Sequence, residues 1–514
     1  LMQHVSHTYN PYPDSQRVGV EVTFKLVDTA AENNATPSTN GANAISNLSQ
    51  LTDENNRPTA KWATLEEGLW ITDGTWSILP NDLGDTPIGW WGSALSGDDC
   101  TFAVNPTLTM ELSTPASSIG YTMQFDDRAM QWASQVKITA YSGSTQLSQK
   151  TVSSGGPLLT VDMPVEGYDK VVFEIIKSNN PHRRVRLYSV LFGILQAFDA
   201  RTIGKATWKA GCSASCESVQ VREFTFTFDN SDQKYNFTNP SGIYKYLQDG
   251  QVIRSAIIMD GERVDMGTHY YQRAEAQDES LTAEITSNDR FYWLDSDTYE
   301  AGESGTWTLS EALTAVLGSD VTVDASATIG ARTVNKCIPT GTTKREAVRL
   351  LAQAARCTCW IDRAGVLIFR ELSIGVPVDT LDEDNMDSMD GLKVDEKVDC
   401  VKLKVTDNFH YNSVDDRVEA RTTEYTSGSG SNILTIDNPC AYSGQDVADW
   451  ILAVRQRRLQ YECKNRGNPA VEIGDTITIY NAFDESGNAA VYEYEMEFDG
   501  DLTETTKALG AAWT

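Results

Sequence analysis

Residues 465–480 read NRGNPAVEIGDTITIY and set two carboxylates, Glu472 and Asp475, among glycine, proline and β-branched residues. Two acids this close suggest either a catalytic pair or a corner in a β-sheet. Side chains alternate between the faces of an extended chain, so residues three apart point in opposite directions. We therefore predict a turn at 467–469, a strand that starts with AVEIG, a bend or bulge at Gly474 and a strand over TITIY. The two acids would then cap turns or face solvent.

The length and charge of the chain narrow the functional classes. A chain of 514 residues is too long to fold around a single hydrophobic core. A typical length of about 150 residues per domain predicts three or four domains. The net charge of −30 repels phosphate, which disfavours stable binding to nucleic acid or acidic membranes. No apolar run approaches the length that spans a bilayer. The N-terminal LMQHVSHTYNPYP lacks the features of a secretory signal, so we expect no secretion by that route.

Residues that could carry chemistry are few and scattered. Nine cysteines in a large chain favour reduced, mostly buried thiols, and the spacings Cys212-x3-Cys216 and Cys357-x-Cys359 lack a nearby histidine. The acidic run LDEDNMDSMDG (381–391) lacks the order of a calcium loop and is typical of a solvated loop. No hydrolase, zinc-protease or phosphate-loop motif is present. We expect no enzymatic activity, no metal and no cofactor. The five histidines are dispersed, at His4, His7, His182, His269 and His410.

The N-terminal two-fifths of the chain is predicted to be almost entirely β. Residues 17–28 alternate apolar and polar and predict one long strand, followed by a polar loop or extended arm over 30–58. From 60 to 194 short apolar-polar alternations recur between turn signals, which indicates a β-sandwich of jelly-roll type. We assign residues 60–194 to the sandwich. Residues 1–59 are predicted to belong to a β-barrel whose other strands come after the sandwich in the chain.

The remainder predicts two β-barrels joined by helices. Residues 195–300 form the first barrel, with hairpin turns at Asp249-Gly250 and Asp260-Gly261. Helices are predicted where the apolar spacing lengthens, with Thr343 capping one of them. An α+β domain and acidic connector span 301–399, and a second barrel with a helix spans 400–514. The predicted helices cover 309–317, 343–356 and 443–458. The fold class is therefore mainly β with α+β parts.

Aromatic and basic residues near the sandwich are the candidate binding site. Indole rings offer flat apolar faces on which sugars stack, and arginines can hold anionic groups of a cell-wall polymer. Both features have a structural alternative, since the rings can fill the core and the arginines can cover a strand edge or pair with local acids. The candidate carbohydrate-binding residues are Trp70, Trp76, Trp90, Trp91, Arg183 and Arg184, beside Trp62 and Arg186.

The order of these segments resembles a known family. The succession FTFTFDNSDQKYNFTNPSG, QVIRSAIIMDGERVDMGTHYY, ITSNDRFYWLDSDTY, WIDRAGVLIFREL and RGNPAVEIGDTITI is similar to baseplate hub and tail-tip proteins of tailed bacteriophages, including the contractile-phage hub. This resemblance covers about 200–514, plus the strand at 17–28. Residues 60–194, with NPTLTMELSTPASSIGYTMQF and YDKVVFEIIKSNNPHRRVRLYSVLFGI, resemble the discoidin-like sandwich that some phages insert into their hubs.

The resemblance carries expectations about assembly and partners. It implies a homotrimeric ring in the virion, at the tail tip or baseplate, assembled in the bacterial cytoplasm. Such a ring continues the tail tube, contacts a distal tail protein ring and the tape measure, and lets DNA pass without binding it. It seats an adhesion apparatus, and because the chain stops soon after the second barrel, a separate fibre or spike protein is implied. For the sandwich it implies contact with a host cell-wall glycan.

A second hypothesis comes from another class of protein. The tryptophans and the many carboxylates would also suit a secreted carbohydrate-active enzyme or lectin, with the sandwich as binding module. Turnover that is abolished by Glu472→Gln would favour this alternative. The absence of a secretory signal and of catalytic motifs favours the hub.

Overall fold

The computed structural model divides into two compact units. One, the larger unit, comprises residues 1–22, 198–236 and 253–514, and the other, the sandwich unit, comprises residues 23–197 and 237–252. The sandwich unit starts at Thr23, well before the predicted segment 60–194. The structure describes the whole chain except residues 1–4, 6–8, 14–16, 42–44, 54–55, 65, 67–68, 277–279, 301–303, 319–320, 413–416, 484 and 512–514.

The first eleven strands lie within residues 18–199. They are β1 (Val18–Val27), β2 (Ala35–Thr39), β3 (Lys61–Ala63), β4 (Trp76–Ile78), β5 (Trp90–Trp91), β6 (Thr107–Phe125), β7 (Ala133–Ser142), β8 (Thr145–Ser153), β9 (Leu158–Ser178), β10 (Arg186–Leu191) and β11 (Gly193–Asp199). Helix α1 covers Thr29–Asn34, and 3-10 helices cover Leu48–Thr52 and Tyr244–Tyr246. The strand predicted at 17–28 is confirmed as β1.

The sandwich is built on long strands. Its main sheet runs in the order β5-β10-β6-β9-β7-β8, with β2 on the side of β6. Where the sequence predicts short strands between turns, residues 107–125 form one continuous strand, β6, whose register against β9 shifts between Glu111 and Gly120. Inward-facing residues of these strands are fully buried and make one apolar core, in which Tyr121 packs edge-on against Phe173 with ring centroids 5.7 Å apart.

The segment at 30–58 differs from the predicted loop. Asp28 caps α1 by accepting from the backbone N–H groups of Ala30 and Ala31. Strand β2 then pairs antiparallel with β6, with Ala35 opposite Leu112. Of the two predicted forms, a loop or an extended arm, β2 has the extended one. Its pairing was not predicted because the partner strand lies about seventy residues away, which composition does not reveal.

The larger unit contains the remaining strands and helices. Its strands are β12 (Ile203–Gly211), β13 (Glu223–Asp229), β14 (Val252–Met259), β15 (Glu262–Glu275), β16 (Thr282–Asn288), β17 (Thr298–Tyr299), β18 (Thr306–Thr308), β19 (Val323–Ala325), β20 (Thr333–Asn335), β21 (Thr342–Thr343), β22 (Thr358–Ile361), β23 (Leu367–Arg370), β24 (Pro377–Leu381), β25 (Met386–Val394), β26 (Cys400–Asn412), β27 (Arg417–Gly428), β28 (Ile433–Asp437), β29 (Leu459–Asn465), β30 (Thr476–Tyr480), β31 (Ser486–Phe498) and β32 (Leu502–Leu509). Its helices are α2 (Arg290–Trp293), α3 (Leu309–Leu317), α4 (Ala327–Gly330), α5 (Lys344–Ala354) and α6 (Gly444–Arg455).

The strands of the two predicted barrels share one sheet. It runs β14-β15-β16-β13-β12-β31-β32-β29-β25, and β30 lies between β24 and β31. The junction is the antiparallel pair of β12 and β31, with Trp208 opposite Met496. Alternate residues of the FTFTFDN stretch face inward, and Phe224 stacks between Trp208 and Phe226 at 5.0 and 5.3 Å. The predicted fold class, β-rich with α+β parts and a sandwich, is confirmed.

Helices form where the sequence predicts them. Helix α3 has the predicted bounds, and Thr308 and Glu311 make a reciprocal capping box at its start. Helix α5 begins after Thr343, whose side chain accepts from the Glu346 N–H, so the predicted cap is confirmed. Both helices bury their apolar faces in a core shared with α6, β22 and β26.

One of the two predicted hairpin turns joins paired strands. Asp260 and Gly261 link β14 to β15 with φ of 49° and 89°, the left-handed conformations that a two-residue hairpin turn requires. Asp249 and Gly250 instead connect a 3-10 helix to β14, so no hairpin forms there. An Asp-Gly pair predicts a turn, whereas a hairpin forms only where the segments before and after that turn are both strands.

The acidic run over 371–400 is not the predicted solvated connector. It contains two strands of the large sheet, β24 paired with β30 and β25 paired with β29. Asp379 in β24 is largely buried, where it accepts hydrogen bonds from Tyr12 (2.7 Å) and Asn468 (2.9 Å), and burial raises its pKa. The acids of this run are therefore divided between solvent and the interior.

Candidate functional site

Two of the candidate tryptophans are core residues. Strand β5 consists of Trp90 and Trp91, which pair with Leu187 and Arg186 of β10. Their exposed fractions are 1% and 3%, so neither indole can offer a face to a sugar. Trp90 packs in the main core, and Trp91 packs with Trp62 in a smaller apolar cluster. For this pair the structural alternative is correct, because the two rings point to opposite faces of β5 and apolar side chains cover both faces.

Trp70 and Trp76 have different surroundings. Trp70 is 40% exposed and Trp76 is half-buried on β4, which runs parallel to β3. Two exposed aliphatic side chains, Ile71 and Ile78, lie in the same segment. These rings have the accessibility that stacking on a sugar requires, and their role stays a prediction.

The candidate arginines Arg183 and Arg184 precede β10 and have local partners. The Nη1 group of Arg184 donates to the carbonyls of Gly92 (2.9 Å) and Ser93 (2.8 Å). Its Nε atom lies 3.8 Å from Glu66, a buried acid. Arg183 donates to the carbonyl of His182. These contacts anchor the chain around the aromatic segment, and any contact of these arginines with a glycan remains a prediction.

The neighbouring Arg186 is fully buried and holds the aromatic segment in place. Its guanidinium stacks over the Trp91 ring with 4.0 Å to the centroid, and Nη1 donates to the Trp62 carbonyl at 3.2 Å. It lies 3.5 Å from Asp126 and 3.7 Å from Glu66. Burial raises the pKa of Asp126, whereas its contact with Arg186 opposes that rise. One guanidinium therefore lies between two carboxyl groups.

The carboxylates of the 465–480 stretch are buried rather than facing solvent. Residues 470–475 contain turns, at 470 and at 473–474, in place of the predicted start of a strand, and β30 begins only at Thr476. The Asp475 carboxylate accepts from the Glu472 backbone N–H at 3.0 Å, which confirms its turn-capping role. Glu472 is 2% exposed and lies 2.8 Å from Arg363 and 3.7 Å from Arg222. An acid so enclosed cannot reach a polymeric substrate, so the catalytic-pair reading loses its geometric basis.

Around Glu472 the larger unit has a dense polar interior. Arg363 also donates to the carbonyls of Pro469 and Val471, which ties the turn to the β22–β23 hairpin. His269 is fully buried nearby, and burial together with Arg222 and Arg363 holds its pKa well below the usual range. The imidazole is consequently neutral. This environment is typical of a structural junction inside a sheet.

The remaining candidate ligands do not converge on a metal site. His4 and His7, and the side chain of His410, lie outside the described residues, and exposed His182 lies 3.0 Å from Asp98. Among the residues that the structure describes, no group of three or more His, Cys, Asp and Glu side chains is arranged to hold a metal ion. None of the helices in the described ranges is long and apolar enough to cross a membrane.

The two cysteine spacings meet in the tertiary structure. Eight of the nine cysteines are buried, as predicted. The Cys359 thiol has a hydrogen bond with Cys216, which together with burial raises its pKa. Burial raises the pKa of Cys212 to about 12. Thr358 donates to the Ser213 carbonyl at 2.7 Å and connects the two segments. These thiols pack as small apolar groups and are not reactive nucleophiles.

The sandwich contains a cleft that the sequence analysis missed. It has a volume of about 110 Å³. Its polar wall includes Gln124, whose Nε2 is buried and has no hydrogen-bond partner among the described residues. No local motif marks it, because its walls come from segments up to 138 residues apart, between Arg57 and Leu195. The lining residues are Arg57, Thr122, Gln124, Phe125, Asp127, Pro157, Leu158, Ser189, Leu191 and Leu195.

Fold and geometry together define a class: a β-rich protein with a jelly-roll sandwich inserted into a larger sheet-based unit. The chain matches no family model and no curated protein. It is similar to a solved tail protein from Neisseria meningitidis MC58, with 14% identity over 61% of this chain and 93% of that one, and a TM-score of 0.42. The 43 kDa tail protein of prophage MuSo2 from Shewanella oneidensis is similar at 15% identity, over 61% and 94%, with a TM-score of 0.42.

A solved structure of another kind is also similar to part of this chain. The family 32 carbohydrate-binding module of NanJ from C. perfringens, solved with galactose, is 10% identical over 34% of this chain and 99% of that one, with a TM-score of 0.22. Tail proteins and carbohydrate-binding modules are thus both among the structures to which this chain is similar. The resemblance read from the sequence was to tail-hub proteins and to a discoidin-like sandwich.

Proposed function

We propose that the chain is a structural protein of a phage tail, a hub that forms a homotrimeric ring at the tail tip or baseplate. The observation that carries this proposal is the insertion of the sandwich. The larger unit is assembled from chain segments on both sides of it, with one continuous sheet from β14 to β25. A body with its own core can assemble with other tail proteins while the insert contacts something else.

The charge of the chain supports a ring through which DNA passes. With a net charge of −30 the protein repels the phosphate backbone at contact range, so DNA would move through the lumen without adhering. The ring would contact a distal tail protein ring and the tape measure, and would seat a separate fibre or spike protein. A ring with these partners would lie in the virion, at the tail tip or baseplate.

Electron microscopy of the purified full-length chain, combined with native mass spectrometry, tests the ring. We expect a trimer with a central opening. A chain that remains monomeric both alone and in the intact particle would contradict the hub. Binding of short double-stranded DNA at physiological salt provides a second readout, and we expect none.

We further propose that the sandwich contacts a host cell-wall glycan through exposed Trp70 and half-buried Trp76, the accessible candidates of the aromatic segment. A glycan array with the full-length chain would detect this contact, and the Trp70→Ala and Trp76→Ala variants should bind more weakly with an unchanged melting temperature. Trp90→Ala is the matched control. It should lower stability by about 3–5 kcal/mol, as aromatic truncations in cores do.

A further inference from the structure

We propose that the cleft beside Gln124 is a binding site for a neutral sugar ring, separate from the Trp70–Trp76 surface. The inference rests on the proposed function in one respect, namely that the sandwich takes a glycan. Ten residues of the sandwich unit line this cavity, the Gln124 cleft.

The apolar wall of the Gln124 cleft suits the C–H face of a sugar. Leu158, the first residue of β9, lines the cleft and is 54% exposed. Leu191 and Phe125 are buried and close the cleft from below. Small-ligand sites have such a largely apolar lining with a few placed polar groups.

The polar groups of the cleft are of mixed type. The Gln124 Nε2 is a hydrogen-bond donor that is shielded from solvent and has no acceptor in the described part of the chain. A buried donor without an acceptor is costly, and a ligand oxygen in the cleft would satisfy it after a turn of the amide, which the part-exposed Gln124 side chain allows. At the rim, Arg57 adds donors and Asp127 adds acceptors.

This combination selects the chemistry of the ligand. Sugar hydroxyls both donate and accept, so one ring can use the amide, the guanidinium and the carboxylate together. The charges of Arg57 and Asp127 offset each other, which favours a neutral ligand over an anion. The volume of about 110 Å³ suits one ring that is partly enclosed, rather than a chain of sugars.

The walls of the cleft are held rigidly. The Phe125 backbone N–H donates to the Pro157 carbonyl at 2.7 Å, which fixes the turn before β9 against the end of β6. Asp126 accepts from the N–H groups of Arg128 and Ala129, both at 2.9 Å, and thereby fixes the turn that carries Asp127. Preorganised groups lose little freedom on binding.

Saturation-transfer NMR on the full-length chain with methyl β-galactoside, methyl β-glucoside and N-acetylglucosamine tests the site. We expect at least one probe to bind, and Gln124→Leu to weaken it about tenfold, the effect of one lost buried hydrogen bond. Gln149→Leu, at an exposed position on β8, is the matched control and should leave binding unchanged. The melting temperature of Gln124→Leu should not fall, because the variant removes an unsatisfied buried group.

The outcomes separate this inference from the proposed function. Loss of binding in Gln124→Leu, with binding retained in Trp70→Ala and Trp76→Ala, supports the cleft. Binding that survives Gln124→Leu but disappears in the tryptophan variants overturns the cleft and keeps the glycan role. No signal from any of the three probes with the wild-type chain overturns the inference, whereas ring assembly in micrographs is an independent result.

Discussion

The two units each bury an ionic cluster, and the two clusters have opposite composition. In the sandwich unit one guanidinium, Arg186, lies between two carboxyl groups, Glu66 and Asp126. In the larger unit one carboxylate, Glu472, lies between two guanidiniums, Arg222 and Arg363. A buried carboxyl group can take up a proton and become neutral, whereas a guanidinium stays charged. Loss of the oppositely charged partner therefore has different consequences in the two units. The carboxyl groups of the sandwich unit can become neutral, whereas the guanidiniums of the larger unit remain charged.

Both clusters join distant segments of the chain. Arg186 holds the aromatic segment around Trp62 against β10, and Arg363 holds the turn at Val471 against the β22–β23 hairpin. Buried ion pairs are a poor source of net stability, but their loss is severe because the remaining charge has no partner. We infer that these residues fix the geometry of their segments.

The largest effect should come from removing the carboxylate of the larger unit. Glu472→Gln leaves two buried guanidiniums without a counter-charge, and we expect a loss of about 3–5 kcal/mol in the free energy of unfolding. Neither guanidinium can relieve this cost by losing its proton. Calorimetry of the full-length chain measures it. A loss below about 1 kcal/mol, the range of exposed pairs, would contradict the buried cluster.

The corresponding change in the sandwich unit should cost less. Arg186→Met keeps most of the packing volume but leaves Asp126 without its cation and Glu66 with Arg184 alone, and we expect a loss of about 2–3 kcal/mol at pH 8. Without Arg186 the folded-state pKa of Asp126 rises further, so the folded protein retains a proton that the unfolded chain releases. The loss should therefore be smaller at pH 5 than at pH 8. A loss independent of pH would show that the two carboxyl groups stay ionised.

A third test concerns the pH dependence of the larger unit. Burial raises the pKa of Glu504 to about 7, and its carboxylate accepts from the Asn468 N–H at 3.1 Å near Asp379 and Arg363. A raised folded-state pKa means that stability is highest at low pH and falls as the pH rises from the unfolded value near 4.5 to about 7. We expect a decrease on the order of 2 kcal/mol from this group.

Hydrogen exchange of β32 peptides at pH 5 and pH 7.5, corrected for intrinsic exchange rates, would report that decrease. In Glu504→Gln the corrected protection should change much less with pH, because glutamine does not titrate. Part of the slope should remain, since burial also raises the pKa of Asp289 to about 7. An unchanged slope in Glu504→Gln would assign the pH dependence to other groups.

The smallest effect should come from an exposed ion pair. Lys205 and Glu497 lie 2.9 Å apart on neighbouring strands, with side chains 51% and 34% exposed. Water and salt screen such a pair, so Glu497→Gln should leave the melting temperature unchanged at physiological salt. A shift as large as that of Glu472→Gln would mean that burial does not distinguish the two kinds of pair.

Local patterns predicted the elements whose partners are close in the sequence. Helix α3 occupies its predicted residues, Thr343 caps α5, and Asp260-Gly261 turns a hairpin, since each depends on spacing or backbone preference within a few residues. Strands of the acidic run were missed because their partners, β29 and β30, lie about 70 to 100 residues further along. An acidic stretch has the composition of a loop, and the sequence near it does not show that a distant strand will pair with it.

The candidate site shows the same division. The sequence identified Trp70, Trp76, Trp90 and Trp91 as one group, because residue type is all that it displays. Pairing of β5 with β10 buried two of them, while the other two stayed accessible. The Gln124 cleft had no signal at all, since its walls meet only after β6, β9, β10 and β11 are in place.

By itself, the sequence determined the β-rich class, the helices with their caps and the strongly negative charge, because these follow from local periodicity and composition. Only the tertiary structure decided what Glu472 and Asp475 do. Local alternation predicted that the two acids would cap turns or face solvent, and Asp475 does cap a turn. Glu472 is enclosed by guanidiniums that lie 109 and 250 residues away in the chain, and no local pattern shows which charges will be buried together.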